Sequence, residues 1–201
     1  MKRTSFTIFV LFLLVSSLTL AENGEQLAKQ LQNKFNSISY LTADFRQTTN
    51  GKVTLAGKFF YGKGNKMRLD LKNLTIVSDG KTSWSYNKKE KKVVISNYDP
   101  TDPSIISLEK IINDYPSRCK LTLEKNSGVN VLNLTPNKTG LSFKNAKIFI
   151  NTEELIDKIE LTDQNNSLIV IEFSNYQLDK NINNSTFAFT PPKGSKVIDL
   201  R

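Results

Sequence analysis

The side chains that carry most acid–base and metal chemistry in enzymes are nearly missing: among 201 residues there is no histidine and a single cysteine, Cys119. That excludes His-based triads and His/Cys zinc sites, and it removes the usual general base. Carboxylates remain at Asp44, Asp70, Asp79, Glu153, Glu154 and Glu160, at strand faces, a turn and loop ends with no motif spacing. The Glu153-Glu154 pair reads as a solvated loop, because acid–base work needs two groups held in a definite geometry. Gly62 and Gly64 fall between two β-prone runs, whereas a phosphate-cradling loop opens a helix. The sequence therefore points away from catalysis and calls for no metal and no cofactor. Cys119 can form no internal disulfide, and in Arg118-Cys119-Lys120-Leu121-Thr122-Leu123 it reads as one face of a strand.

What remains is the chemistry of apolar binding. Phe45, Phe59, Tyr61, Met67, Leu69, Trp84 and Tyr86 recur at alternate positions of consecutive β-prone runs. Side chains alternate with period two along a strand, so a curved sheet gathers such residues on one concave face. From pattern alone that face is either a core beneath covering helices or the lining of a cavity.

The positioning elements follow from periodicity. Residues 23–38 read as a helix with Leu27, Leu31, Phe35 and Ile38 on one stripe. A second helix is expected from Pro103 to about Tyr115, with Asp102 as N-cap and Pro116 closing it. Its face of Ile105, Ile106, Leu108, Ile111 and Ile112 is broader than a solvent-backed helix needs. Strands are expected over 40–48, 53–61, 66–72, 74–78, 82–86 and 93–96, then 118–125, 129–135, 147–151, 155–163, 168–176 and 196–200. Asp79-Gly80 between two β-prone runs is a hairpin turn signal, and Gly62-Lys63-Gly64-Asn65 is another. So many evenly punctuated strands fit a sandwich or barrel better than a βαβ fold.

Met1-Lys2-Arg3, the apolar run 6–20 and the small-x-small site Thr19-Leu20-Ala21 read as a secretory signal peptide over residues 1–21, cleaved after Ala21. About 180 residues remain, 22–201, without a linker-like composition shift, so one domain is expected. The formal charge of +9 falls to +7 when Lys2 and Arg3 leave with an acid-free leader. That excess suits anionic membranes or acidic proteins, or is simply lysine scattered over exposed strand faces, while export argues against nucleic acid as partner.

Three segments resemble one family. Val77-Ser78-Asp79-Gly80-Lys81-Thr82-Ser83-Trp84-Ser85-Tyr86 is similar to the Asp-Gly-Lys-Thr-x-Trp-x-Tyr hairpin of the periplasmic outer-membrane lipoprotein carrier (LolA) family. Leu41-Thr42-Ala43-Asp44-Phe45-Arg46-Gln47 resembles its first strand, and Phe187-Ala188-Phe189-Thr190-Pro191-Pro192-Lys193-Gly194 its closing motif. The resemblance implies a mostly β fold: an incomplete antiparallel β-barrel of about eleven strands with a helical lid over a hydrophobic cavity. It implies that Phe45, Phe59, Tyr61, Met67, Leu69, Trp84 and Tyr86 line the cavity. The lid would present Leu27, Leu31, Phe35, Ile105, Ile106, Leu108, Ile111 and Ile112.

The implied function is that of a soluble, monomeric periplasmic chaperone. It takes lipoprotein acyl chains from an inner-membrane ATP-binding-cassette complex to an outer-membrane receptor or to the outer membrane. The family often has Arg-Pro in the turn after the second strand; here Lys63-Gly64 stands there, and Lys63 keeps the charge without the forked donor geometry. Met67 stands where the family often has an aromatic linked to transporter engagement, so Lys63 and Met67 are the lid-contact or docking candidates. The alternative function is a lipid- or lipoprotein-sensing regulator on the same half-barrel. Such sensors commonly append a second domain, and the expectation of one domain favours the carrier. A purely structural β-domain would have a filled interior and no ligand.

Overall fold

The computed structural model describes residues 15–99, 107–126, 128–179 and 182–201. A long helix, α1 (Val15–Ser37), precedes six strands: β1 (Tyr40–Thr49), β2 (Lys52–Gly62), β3 (Lys66–Leu71), β4 (Leu74–Asp79), β5 (Thr82–Asn87) and β6 (Lys92–Asn97). After a short π-helical turn (Lys110–Asp114) and a 3₁₀ turn (Pro116–Arg118) come β7 (Cys119–Asn126), β8 (Val129–Pro136), β9 (Phe143–Ile150), β10 (Ile156–Asp163) and β11 (Leu168–Leu178). A second 3₁₀ turn (Asn184–Phe187) leads to β12 (Lys196–Asp199).

All twelve strands join one sheet in the order β12-β6-β5-β4-β3-β2-β1-β11-β10-β9-β8-β7. It consists of two antiparallel meanders, β1–β6 and β7–β11, joined where β1 pairs with β11. β12 closes the far side by pairing in parallel with β6. The sheet curls without closing, so its edges are β12 and β7. Two register shifts in β1, between Thr42 and Asp44 and between Gln47 and Thr48, lie at the middle of the sheet. Such bulges bend a strand and add twist where the sheet turns on itself.

The turns follow their residues. Asn50 and Gly51 both have positive φ, +49° and +77°, as a tight hairpin requires. At the β4–β5 turn, Asp79 Oδ1 accepts the amides of Lys81 and Thr82 at 2.8 Å each. Gly80 (φ +92°) packs so close that a Cβ there would lie 2.1 Å from the Gly64 carbonyl oxygen. The β2–β3 and β4–β5 turns thus lean on each other, and only a glycine fits.

The expected strands are all present, with β9 beginning at Phe143 rather than 147 and twelve strands in place of about eleven. α1 starts at Val15, inside the stretch read as a leader, and not at residue 23. Asp102, Pro103, Ile105 and Ile106 lie outside the described residues. Of the rest of the second helix, Leu108 and Glu109 are α-helical and Lys110–Asp114 is π-helical, the Tyr115 amide donating to the Lys110 carbonyl at 3.0 Å. Among the described residues no helix is long and apolar enough to cross a membrane.

Candidate functional site

The site is built from the register outward. Leu41 faces Tyr61, which faces Met67; Ala43 faces Phe59, which faces Leu69, which faces Ile76. Because opposed residues in antiparallel strands point to the same side, these rows form one inner face. Phe45 pairs with Phe173 of β11, and the face continues through Ile171, Ile159, Ile148, Leu132 and Leu123 into the second meander. Phe173 touches both Phe45 and Phe59, with ring centroids 5.8 and 5.6 Å apart. Five expected site residues lie together here: Phe45, Phe59, Tyr61, Met67 and Leu69 are all buried, Phe59 and Leu69 to 1% exposure.

Trp84 and Tyr86 do not join them. Ile76 faces Ser85 and Ser78 faces Ser83, so β5 turns its serines to the inner side. Trp84 instead faces Val77 and Ile95, and Tyr86 faces Thr75 and Val93, on the outer side. A second apolar cluster forms there, and the C-terminal segment covers it, with Phe189 5.7 Å from Tyr86. The seven aromatic and apolar positions, expected on one face, are thus split across two. Alternation within one strand cannot say which of its faces continues the face of the next.

The inner face is roofed by α1 and residues 107–115. α1 contributes Leu27, Leu31 and Phe35, and Ile38 follows directly after it; all four are buried, and Phe35 meets Tyr61 at 4.7 Å. Gly24 allows the helix to seat on β7, since a Cβ there would stand 2.9 Å from the Leu121 carbonyl. Leu108 and Ile112 are buried in the same core, and Ile111 packs at its margin. Two side-chain bonds join the two roof pieces: Gln32 Nε2 donates to the Ile112 carbonyl at 3.0 Å, and Asn113 Nδ2 to Asn36 Oδ1 at 3.3 Å.

Beneath the roof, the crevices between the described residues are narrow. A crevice along Phe59, Tyr61, Met67 and Leu108 and another along Leu31, Phe35, Leu41 and Tyr176 each leave about 10 Å³. That is at most the room one water needs. A wider cleft of about 920 Å³ lies by β1, β10 and β11, but Asp44, Arg46, Lys158 and Glu172 line it, and Arg46 pairs with Glu172 at 3.4 Å. Phe45, Phe173 and Tyr176 line it as well, so it is the charged groups on its wall, and not a lack of apolar surface, that make it a poor host for hydrocarbon.

The roof has one electrostatic irregularity. Glu109 has a carboxylate oxygen that is buried with no hydrogen-bond partner among the described residues. Burial, and then the Glu109 charge, push the Tyr61 hydroxyl well above the usual tyrosine range. Burial raises Tyr98 too, with a Ser107 hydrogen bond opposing and Glu109 adding. Tyr176 is raised by burial, and its hydroxyl donates to the Ile156 carbonyl. Lys63 sits in the exposed β2–β3 turn, where its amide donates to Ser39 O at 3.2 Å, while Met67 points inward. The two residues read as lid-contact candidates therefore occupy different environments. Among the described residues no group of His, Cys, Asp or Glu is placed to hold a metal ion.

Residues 36–190 match the family profile "Outer membrane lipoprotein carrier protein LolA". The chain belongs to the LolA family. An outer-membrane lipoprotein carrier protein of Proteus mirabilis is 28% identical over 216 residues, covering 100% of both chains. An uncharacterized protein of Methanocaldococcus jannaschii is 26% identical over 219 residues, covering 96% of this chain, which spans 60% of that relative's length. An uncharacterized conserved protein from Thermus thermophilus has the same fold, with TM-score 0.61 at 12% identity, covering 88% of this chain and 99% of its own. The LolA-family half-barrel, mostly strand and open, is the fold seen here. The family also supports binding or carriage of lipoproteins as the broad function.

The sequence reading missed the second meander's share of the inner face: Leu132, Leu134, Ile148, Ile159, Ile171 and Phe173 are as deeply buried as the first meander's residues. Their alternation was visible in the sequence. What placed them opposite Phe59 was the β1–β11 pairing.

Proposed function

We propose that this LolA-family chain is an exported periplasmic carrier that takes up lipoprotein acyl chains between its inner face and its helical roof. Loading from an inner-membrane ATP-binding-cassette complex and delivery to an outer-membrane receptor or the outer membrane complete the reading. Phe45, Phe59, Tyr61, Met67 and Leu69 line the site, and Leu27, Leu31, Phe35, Leu108, Ile111 and Ile112 cover it. Lys63 and Met67 are candidates for lid contact or partner docking, and the working form is a monomer. Trp84 and Tyr86 hold the outer cluster instead.

One observation carries this: a continuous apolar face spans both meanders, and among the described residues its cover consists of two pieces joined by the Gln32 and Asn113 side-chain hydrogen bonds. Each buried CH₂ is worth roughly 0.8 kcal/mol, so an acyl chain of about 15 methylenes needs an apolar host worth on the order of 12 kcal/mol before it leaves a bilayer. The narrow crevices beneath the roof fit an empty carrier that hides its apolar face when unloaded. Uptake then requires the roof to part, and the ligand's preference for the open form drives that change.

The test is native mass spectrometry of the protein isolated from the periplasm of cells that also make a mis-sorted lipoprotein. A one-to-one complex with the acylated lipoprotein, lost when acylation is blocked, supports the carrier. Protein found only free, or only with phospholipid, would favour a lipid sensor on the same scaffold.

A further inference from the structure

The half-barrel has two unlike ends. At one end lie the β1–β2 turn, the β3–β4 and β5–β6 turns, the β8–β9 connection and the β10–β11 turn, because the hairpins alternate direction along the sheet. This end carries Lys52, Lys72, Lys89, Lys91, Lys138 and Lys144, all exposed. Its acids are few: Glu90, Asp114, which pairs with Arg118 at 3.8 Å, and Asp163, whose carboxylate accepts the amides of Asn165 and Ser167 at 2.8 Å within its own turn. The opposite end mixes signs, with Asp79, Glu153, Glu154, Asp157 and Asp179 beside Lys63, Lys66 and Lys81. The chain's positive excess is thus concentrated along the strand axis toward one end.

Three of the four large apolar side chains most exposed among the described residues stand toward that same end: Val53 at 53% and Leu168 at 43%, and Val197 at 47% on the edge strand. Val53 and Leu168 lie at its centre. The register makes them neighbours. Val53 faces Thr48, Thr48 faces Val170, and the Asn50 amide donates to the Leu168 carbonyl at 2.8 Å. On the inner side at this end, Leu55, Leu161 and Ile169 are only half-buried, so the apolar inner face reaches the rim. α1 finishes at the other end, where Ser37 is followed by the start of β1.

We propose that this end docks on the surface of an anionic bilayer, with Lys52, Lys138 and Lys144 over the headgroups and Val53 and Leu168 entering the interface. Lysines near an anionic leaflet each strengthen binding about fivefold, and the attraction fades within a Debye length as salt rises. Two apolar side chains add a shallow, salt-insensitive contact. The inference rests on the carrier reading for its purpose: it sets the half-buried rim of the inner face against the bilayer, so that a chain changes hosts without crossing water.

The experiment is co-sedimentation of the leader-free chain with phosphatidylcholine vesicles made with and without phosphatidylglycerol, at low and high salt. Each protein is also titrated with a fluorescent acyl probe, and its fold is checked by circular dichroism. Binding is expected only with the anionic lipid and weakens with salt. K52E/K144E should lose at least about twentyfold, and V53S/L168S should lose the portion that survives high salt. Absent binding, equal binding to neutral vesicles, or binding that neither pair of substitutions reduces would overturn the docking. A wild type that takes up the acyl probe but ignores vesicles sinks the docking and leaves the carrier standing. One that binds anionic vesicles but takes up no probe supports the docking surface and sinks the carrier.

Discussion

Replacing Gln32 with alanine tests whether the two pieces of the roof must part for a ligand to enter. The Gln32 side chain leaves α1 away from the buried stripe of Leu31 and Phe35 and donates to the Ile112 carbonyl at 3.0 Å. Alanine is at least as good a helix former, so α1 itself keeps its strength. A neutral hydrogen bond of this kind contributes about 0.5–1.5 kcal/mol. The neighbouring Asn36–Asn113 bond is longer and exposed, and does not replace it. If the roof opens between α1 and residues 107–115, Gln32→Ala multiplies the open fraction by about 2–12. Because only the open form binds, the apparent Kd for an acyl probe falls by the same factor. Stability falls as well, by about 1–6 °C in Tm for a chain of this size. Calorimetry and a fluorescence titration read the two effects separately. A lower Tm with unchanged or weaker probe affinity would refute the argument, because it would show that this bond stays intact during uptake.

Three further outcomes follow from the same geometry. Trp84→Glu strikes the outer cluster beside Val77 and Ile95 and should cost about 1–3 kcal/mol of stability while acyl uptake per folded molecule is retained; Leu55→Glu, half-buried on the inner face, should cut uptake with little change in Tm. Burial raises the Asp70 carboxyl, but the Arg68 guanidinium at 2.7 Å, the Thr75 hydroxyl and the Lys88 charge outweigh it and hold its pKa below 3.8. The folded-state value is depressed, so its contribution is present above pH 3.8 and is lost as pH falls through the folded pKa. Arg68 also donates to the Thr186 carbonyl, so Asp70→Asn should lower Tm at neutral pH, flatten its acid limb, and loosen hydrogen-exchange protection around Thr186. Cys119 is buried, and burial pushes its thiol up against a smaller opposing effect of Arg118; it should react slowly with a disulfide reagent at neutral pH and fast once the chain is unfolded.

Much of this protein was legible without coordinates because the relevant signals are local. Period-two runs separated by turns such as Asp79-Gly80 and Gly62-Lys63-Gly64-Asn65 mark the strands, and the sheet has them within a few residues of where the sequence puts them. Leu27, Leu31 and Phe35 of the expected stripe mark the buried side of α1, and Ile38, one residue past its end, is buried with them. The lack of histidine limits the chemistry by composition alone. Three short motifs in order were enough to suggest the family that the profile match then established.

What the sequence could not decide depends on how strands far apart in the chain meet. The side of β5 that faces inward is set by a chain of pairings from Phe59 through Leu69 and Ile76 to Ser85, and each link is a register. A one-residue difference at any link moves a whole strand's side chains to the other face. Trp84 and Tyr86, the most conspicuous apolar pair in the sequence, therefore went to the outer cluster, while two serines took the inner positions. The same holds for β1 and β11, about 130 residues apart in the chain: their pairing alone turns two ordinary meanders into one continuous apolar face. Whether that face is empty or filled is likewise a property of packing, settled only when Phe35 and Leu108 come down upon it.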